Sequence, residues 1–377
     1  MACARFPGGR ERAVRRSAQC RNRNAGPSLE CATHALKSRY AEDRLRAIAE
    51  LERIGAPTAT PWLVEALRDR LSYVGASAAR ALVKQASPEI ADAMIDHFFW
   101  ASKDGEHRDA GCAVRIELAI ALGNMAYLKA DEALRLGLRT VQIEMVGMGP
   151  ADTAIPLRGS CALALAQIRP PGALLDISLL LFEAGLDAPF GADALPAGRA
   201  AAKAIGVLGD PAGNVPLALM LRLHPNADAD IIVESMNSLV SLADPRAMEF
   251  LIPYLDSENR FLAGGAALAM GRTRNPAALP PLIDRLEKAP RELAAALAAA
   301  IATLRLPEAR AALLAKTSHQ VATIRAACVE ALALFPDQEV KDRLKTVAEK
   351  DRDARVRLAA ANALGLESKL PEKELRQ

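Results

Sequence analysis

The feature of this sequence that most limits its fold is a pattern that recurs every 31 to 43 residues. Each copy has an apolar residue, often followed by Arg, then small residues, then Ala-Leu or an equivalent pair; the clearest copies run over 114–123 and 356–365. The last apolar residue of each copy is its anchor, and the anchors are Leu51, Leu82, Leu122, Leu165, Ile205, Leu239, Met270, Ile301, Leu332 and Leu364. Self-similarity at such a period indicates stacked structural repeats.

Each repeat has the pattern of two helices. After the anchor comes a turn that often contains Pro, as at Pro276 and Pro307, and Pro favours the first turn of a helix. Apolar residues in 277–286 then have the i, i+3, i+4, i+7 spacing of an amphipathic helix. Alternating runs of β-branched residues between turns are missing from the sequence, so no strand is expected. Because one helical pair cannot bury both of its apolar faces, about ten pairs must stack in an all-α fold.

Alanine fills the positions at which neighbouring repeats are expected to approach each other. Pairs of small residues recur before the anchors, at Ala78-Ala79, Ala201-Ala202, Ala266-Ala267 and Ala360-Ala361. A small side chain allows close approach of two backbones, and a bulkier one would overpack the contact. We therefore expect these alanines to be buried between adjacent repeats.

The phrase Val-Arg-x-x-Ala-Ala-x-Ala-Leu-Gly at 356–365, together with Asp-Pro turns, resembles the HEAT repeat, in the compact bacterial variant named after the phycobilisome (PBS) lyases. The resemblance covers about residues 28–367 and implies a right-handed α-solenoid of the armadillo/HEAT type. It also implies that the helix with Val-Arg lines the concave face and that its Arg lies near an Asp of a neighbouring turn. The matching arginines are Arg44, Arg115, Arg158, Arg325 and Arg357, and structural pairing is favoured for them over ligand binding.

Charge and composition separate the ends of the chain from its body. Residues 1–30 contain seven Arg and two acidic residues, or +5, so that residues 31–377 carry −2 of the total of +3. We predict a disordered basic N-terminal extension at 1–27, the solenoid at 28–367 and a polar C-terminal tail at 368–377. Ser28 is a plausible N-cap for a first helix over 29–40, and a last helix is expected over 354–366. Since nucleic-acid binding needs clustered Lys and Arg, the body is not expected to bind nucleic acid.

No segment has the length and hydrophobicity of a membrane-spanning helix, and the N-terminus lacks the apolar core of a secretory signal. Abundant Arg, Ala and Gly are typical of GC-rich bacterial genomes. We therefore expect a bacterial protein located in the cytoplasm.

The sequence contains no motif that predicts catalysis, a cofactor or a metal. The histidines are isolated, none is followed by Glu as in the deoxyhypusine hydroxylase group, and HExxH and GxSxG motifs are missing. His107 with Glu106 and Asp109 is the one compact polar trio, and we interpret it as solvated. The cysteines lack CxxC or regular spacing, so neither a disulfide framework nor a zinc site is expected. Cys161 and Cys328 occupy a small-residue position and are interpreted as buried thiols.

Three consecutive repeats are longer than the others. Their additional residues, 100–109, 145–152 and 183–196, all precede the Val-Arg helix, and insertions at one position of successive repeats should form one contiguous rim. A polar rim with a few aromatic and Met anchors suits a protein or peptide interface, the alternative being loops without a partner. The candidate partner-binding residues are Trp100, His107, Arg108, Met145, Met148, Glu183 and Phe190.

Two functional hypotheses follow. The first is a non-enzymatic scaffold that binds a protein partner through its concave face or this rim. The second, which the family resemblance implies, is a lyase-like chaperone that holds a tetrapyrrole, for which Ile120, Leu163 and Leu268 on the expected inner face provide apolar residues. The remaining expected inner-face residues, Arg80, Lys203, Asn237, Ala299, Glu330 and Asn362, do not form a basic track.

Overall fold

A computed structural model describes residues 29–147, 149–185 and 195–365. The chain divides into two compact units, one of Met1–Leu180 and Pro189–Ala204, the other of Leu181–Ala188 and Ile205–Gln377. The predicted extension 1–27, Ser28 and the predicted tail 368–377 lie outside the described residues.

The first unit consists of paired helices and one small hairpin. Its helices are α1 (Leu29–Ala35), α2 (Ala41–Ile54), α3 (Thr60–Ala66), α4 (Ser72–Val83), α5 (Pro88–Ser102), α6 (Gly105–Arg108), α7 (Ala113–Asn124), α8 (Asp131–Leu138) and α9 (Ile155–Ile168). Strands β1 (Ile143–Val146) and β2 (Gly149–Asp152) lie between α8 and α9. Short 3-10 segments cover Ala110–Cys112 and Leu128–Ala130, and α10 (Ala173–Gly185) and α11 (Leu195–Leu208) contribute residues to both units.

The second unit repeats the helical pair without described strands. Its helices are α12 (Asn214–Leu223), α13 (Ala229–Ser241), α14 (Ala247–Leu251), α15 (Arg260–Arg272), α16 (Leu279–Glu287), α17 (Arg291–Thr303), α18 (Pro307–Lys316), α19 (Ala322–Leu332), α20 (Gln338–Lys350) and α21 (Ala354–Ala363). Short 3-10 segments cover Pro211–Gly213, Ile252–Asp256 and Pro276–Ala278. Within it α13, α15, α17, α19 and α21 pack side by side in chain order, and in the first unit α2, α4, α7 and α9 do the same. Each unit thus has the all-α architecture of a solenoid, as predicted.

The anchors form the core of these stacks. Nine of the ten predicted anchors are buried, and Leu364 at the end of α21 is half-buried. The paired alanines are also buried, except Ala361 in the same terminal helix. The exceptions have one reason, because the described residues provide no further repeat to cover α21.

Two predicted helices are shorter than expected. The first ends at Ala35 instead of residue 40, because Tyr40 has the extended backbone of the residue that precedes α2. The last ends at Ala363 instead of 366, and Gly365 follows it with a φ of 70°, a conformation typical of helix termination.

The repeated arginines are structural, as predicted. Arg44 and Arg325 each form a bidentate ion pair with an Asp that lies in the turn before the next Val-Arg helix. These partners are Asp69 and Asp351 respectively. Arg115 pairs with Asp109 and Arg158 with Asp152, whereas the Arg357 guanidinium donates to the Asp351 carbonyl at 2.9 Å.

The described cysteines follow the prediction with one exception. Cys112, Cys161 and Cys328 are free and buried, and burial raises the pKa of Cys112 and Cys328 to about 12. Cys31 in α1 is disulfide-bonded, a crosslink that the irregular cysteine spacing did not predict. In the described part of the chain no helix combines the length and the hydrophobicity needed to cross a membrane.

Candidate functional site

The first insertion begins with an aromatic ring that two cations contact. Trp100 is half-buried in the last turn of α5, and the guanidinium carbons of Arg68 and Arg108 lie 5.0 and 4.8 Å from its ring centroid. Arg108 also donates a 2.8 Å hydrogen bond to the Trp100 carbonyl. These distances are those of cation–π contacts, and we name Arg68, Trp100 and Arg108 the arginine–tryptophan stack. Trp100 and Arg108 are among the residues predicted from the sequence, whereas Arg68, 32 residues from Trp100 along the chain, is not.

His97 lies beneath this stack. Its ring centroid is 5.1 Å from that of Trp100, and its side chain is 3% exposed. Burial, with a smaller contribution from the Arg68 charge, lowers the pKa of His97 to about 4. Its Nε2 atom is buried without a hydrogen-bond partner among the described residues. His97 is therefore neutral at neutral pH.

The interpretation of His107, Glu106 and Asp109 as solvated is confirmed for His107 and Glu106, which are exposed, and is wrong for Asp109. His107 is exposed, and its Nδ1 lies 2.9 Å from Asp104 Oδ1, a hydrogen bond that raises the pKa of His107. Asp109 is fully buried and binds Arg115 instead. Asp109 is only two residues from His107 in the sequence, but the two side chains are separated because the chain turns inward after α6.

The second insertion is a β-hairpin, so the expectation that strands are missing is wrong here. β1 and β2 pair antiparallel, with Val146 opposite Gly149 across the turn and Ile143 opposite Asp152. Gly147 supplies a φ of 61° at this turn. The residues 141–145 alternate between apolar and polar, a signal for a half-buried strand that could have been read from the sequence.

One face of the hairpin is held by hydrogen bonds to residues 109–111, which follow α6. The Glu144 carboxylate accepts hydrogen bonds from the Gly111 amide at 2.9 Å and from the Gln142 side-chain amide at 3.1 Å. The buried Gln142 amide also donates to the Asp109 carbonyl at 3.1 Å. The hairpin therefore contacts the end of the first insertion through Asp109, while most of the third insertion lies outside the described residues, so the contiguous rim stays a prediction.

The opposite face of the hairpin is apolar and exposed. Ile143 and Met145 alternate along β1, and Val141 precedes the strand at the same spacing; the exposed fractions of Val141, Ile143 and Met145 are 62%, 42% and 74%. Alternate residues of a strand point to the same side, so these three side chains form one surface, which we name the hairpin face. Of these three residues, only Met145 is among the partner-binding residues predicted from the sequence.

The remaining candidate residues lie in the second and third insertions or on the expected inner face. Glu183 is exposed near the end of α10, whereas Met148, Phe190 and most of the third insertion (183–196) lie outside the described residues. The expected inner-face positions are all exposed or half-buried, with Ile120 and Leu268 both about two-fifths exposed. Among the described residues no cluster of His, Cys, Asp or Glu has the geometry of a metal site.

The comparisons with known proteins agree with the repeat architecture. A family model described as HEAT repeats matches residues 32–110, 215–302 and 280–365, which together make up more than half of the chain. The comparison with curated proteins gives no match.

The solved structures share the fold at low sequence identity. Kap121p is 13% identical with a TM-score of 0.51, and Kap121p bound to Ste12p is 13% identical with a TM-score of 0.50. In both cases 90% of this chain is covered, but the chain spans only 41% of the length of Kap121p.

Human deoxyhypusine hydroxylase in complex with glycerol is 18% identical, with 87% of this chain and 99% of that chain covered. Its TM-score of 0.30 supports no argument about function. On the family match and on the stacked helical pairs with their buried anchors, this chain belongs to the HEAT-repeat family.

Proposed function

We propose that this chain is a non-enzymatic scaffold that binds a protein partner on the rim formed by its insertions, with the hairpin face as the centre of the contact. The observation that supports this most directly is the exposure of Ile143 and Met145 on β1 and of Val141 just before it. Contiguous exposed apolar side chains on a folded protein are typical of interaction sites.

Hydrogen bonds hold the hairpin on the side opposite the hairpin face. Because Glu144 and Gln142 bind the first insertion, the strand is held in one conformation before any partner binds. A preorganised surface reduces the entropy lost on association. In the arginine–tryptophan stack, Trp100 and Arg108 belong to the first insertion, and Trp and Arg are the residue types that contribute most to binding energy at protein interfaces.

The proposed location is the cytoplasm of a bacterium, and it rests on the composition alone, since the described cysteines include both free thiols and the disulfide-bonded Cys31. No described contact favours the tetrapyrrole-binding alternative, which therefore enters as an outcome of the test below.

The test compares two double variants of the full chain as bait in an extract of the organism that encodes it. Ile143→Asp with Met145→Asp places charges on the hairpin face. Leu175→Asp with Leu179→Asp is the matched control, because these leucines are similarly exposed on α10. We expect one defined partner to be captured by the unchanged chain and by the control, and to be lost with the hairpin variant at an unchanged melting temperature.

Retention of that partner by the hairpin variant would contradict the proposal. Absorbance after addition of biliverdin tests the alternative, since a stoichiometric spectral change would favour the ligand-holding chaperone over the scaffold.

A further inference from the structure

β1 has an edge that no described residue pairs with. The sheet contains two strands, with Val146 opposite Gly149 at a two-residue turn. The Thr153 amide donates to the Gln142 carbonyl at 2.9 Å, which continues this ladder at the base of the hairpin. In an antiparallel pair, hydrogen-bonded positions alternate. Residues 142, 144 and 146 therefore bond towards β2, and the N–H and C=O groups of Ile143 and Met145 point to the other side.

These outward groups are available. In the described part of the chain, no hydrogen bond joins the backbone of Ile143 or Met145 to a residue outside the hairpin. Both side chains are exposed as well. The outer edge of β2 differs, because Pro150 lacks the N–H that would point outward there. The hairpin thus presents one edge suited to pairing and one that is blocked.

We propose that the partner protein contributes an extended segment that binds as a third strand along β1, with hydrogen bonds to the N–H and C=O groups of Ile143 and Met145. This inference rests on the proposed function and specifies how the same surface recognises its partner. Pairing along an open edge supplies affinity through the backbone, and pockets for alternate side chains supply specificity.

The hairpin face defines the chemistry of that segment. Cross-strand neighbours stabilise a sheet when apolar side chains meet on one face. Since Ile143 and Met145 alternate on β1 and Val141 precedes it at the same spacing, the added strand should carry apolar residues at every second position over about five residues. The fixed inner face of the hairpin means that β1 need not rearrange to accept it.

A phage-displayed library of random peptides of about ten residues provides the probe, selected on the full chain. Selected peptides are expected to alternate apolar and polar residues. Their binding is then measured to Met145→Pro, which removes an outward N–H, and to Met145→Ala, which keeps it. Proline is tolerated on a strand edge whose N–H faces solvent, so the hairpin should persist. We expect Met145→Pro to weaken binding about tenfold more than Met145→Ala does.

Amide hydrogen exchange in the unchanged chain provides a second readout that does not depend on the proline variant folding. Peptide addition should slow exchange at the Ile143 and Met145 amides and leave the Glu144 and Val146 amides, which already bond to β2, unchanged. Uniform slowing, or none, would overturn strand addition.

The outcomes separate the two proposals. Normal binding to Met145→Pro with loss on Ile143→Asp/Met145→Asp would overturn strand addition and leave the scaffold intact, whereas normal binding to both variants would overturn both. Failure to select any peptide that distinguishes the variants, or self-association of the chain through β1 in sedimentation experiments, would also overturn strand addition.

Discussion

At the scale of single residues, the repeated arginines are held by carboxylates with a fixed place in the repeat. Asp109 and Asp152 each lie six residues before the Arg with which they pair. Asp69 and Asp351 occupy the same position in their own repeats but pair with Arg44 and Arg325 of the preceding ones. In the repeat that follows Arg115, the corresponding contact is made by the neutral Gln142. An Asp at this position can thus bind the Arg of its own repeat or the Arg of the preceding repeat.

Arg44→Met is expected to destabilise the first unit by about 3 kcal/mol, because it leaves the Asp69 carboxylate without its bidentate partner. Arg46→Met on the same helix is the control, since its ion pairs with Glu42 and Asp43 are exposed and worth less than about 1 kcal/mol. Urea unfolding followed by circular dichroism measures both. Equal losses for the two variants would contradict a structural role specific to Arg44.

The buried His97 should make stability depend on pH. Its pKa is about 4 in the folded chain and near the ordinary 6.5 when unfolded, so the unfolded state binds more protons between these values. The free energy of unfolding is therefore not reduced by His97 above pH 6.5. It decreases by about 3 kcal/mol in total as the pH falls towards 4. His97→Leu should flatten the decline, measured by urea unfolding at several pH values. A decline of the same size in His97→Leu would show that other groups cause it.

At the scale of elements, helices approach each other through positions where a side chain would not fit. A Cβ added to Gly271 on α15 would lie 2.5 Å from the Ala300 carbonyl oxygen of α17. A Cβ on Gly264 of the same helix would have its nearest contacts at 3.7 Å. Periodicity alone predicted both helices, but it does not indicate which glycine marks the close contact, because that depends on the facing helix.

Gly271→Ala should therefore destabilise the second unit by about 1 to 3 kcal/mol through overpacking against backbone that cannot move aside. Gly264→Ala should instead stabilise it by about 0.5 to 1 kcal/mol, because Ala has the higher helix propensity and meets ordinary contacts. Thermal unfolding of the two variants gives the comparison. Effects of the same sign would argue against this packing of α15 on α17.

At the scale of the whole molecule, each of the two units has a continuous core of anchors, and the excess positive charge belongs to the first 30 residues. A body with a formal charge of −2 has no excess of cations over carboxylates with which to neutralise phosphates. The presence of a few buried arginines does not change this, because they are already paired with carboxylates.

A variant that lacks residues 1–27 is accordingly expected to leave the fluorescence anisotropy of a labelled DNA duplex unchanged at physiological salt. The full chain is the control for any contribution of the seven arginines. Salt-sensitive binding by the shortened variant would contradict the prediction and point to a basic surface on the body.

The sequence by itself determined the repeat, the helical pairs, nearly all core anchors and the position of the insertions. These follow from apolar periodicity, which is local and needs no knowledge of neighbours. Tertiary structure decided which Asp each Arg binds, placed Arg68 on Trp100, and turned the second insertion into a hairpin with one fixed and one exposed face. Arg68 and Trp100, like Glu144 and Gly111, are more than 30 residues apart in the chain, so stacking of the repeats brings them together.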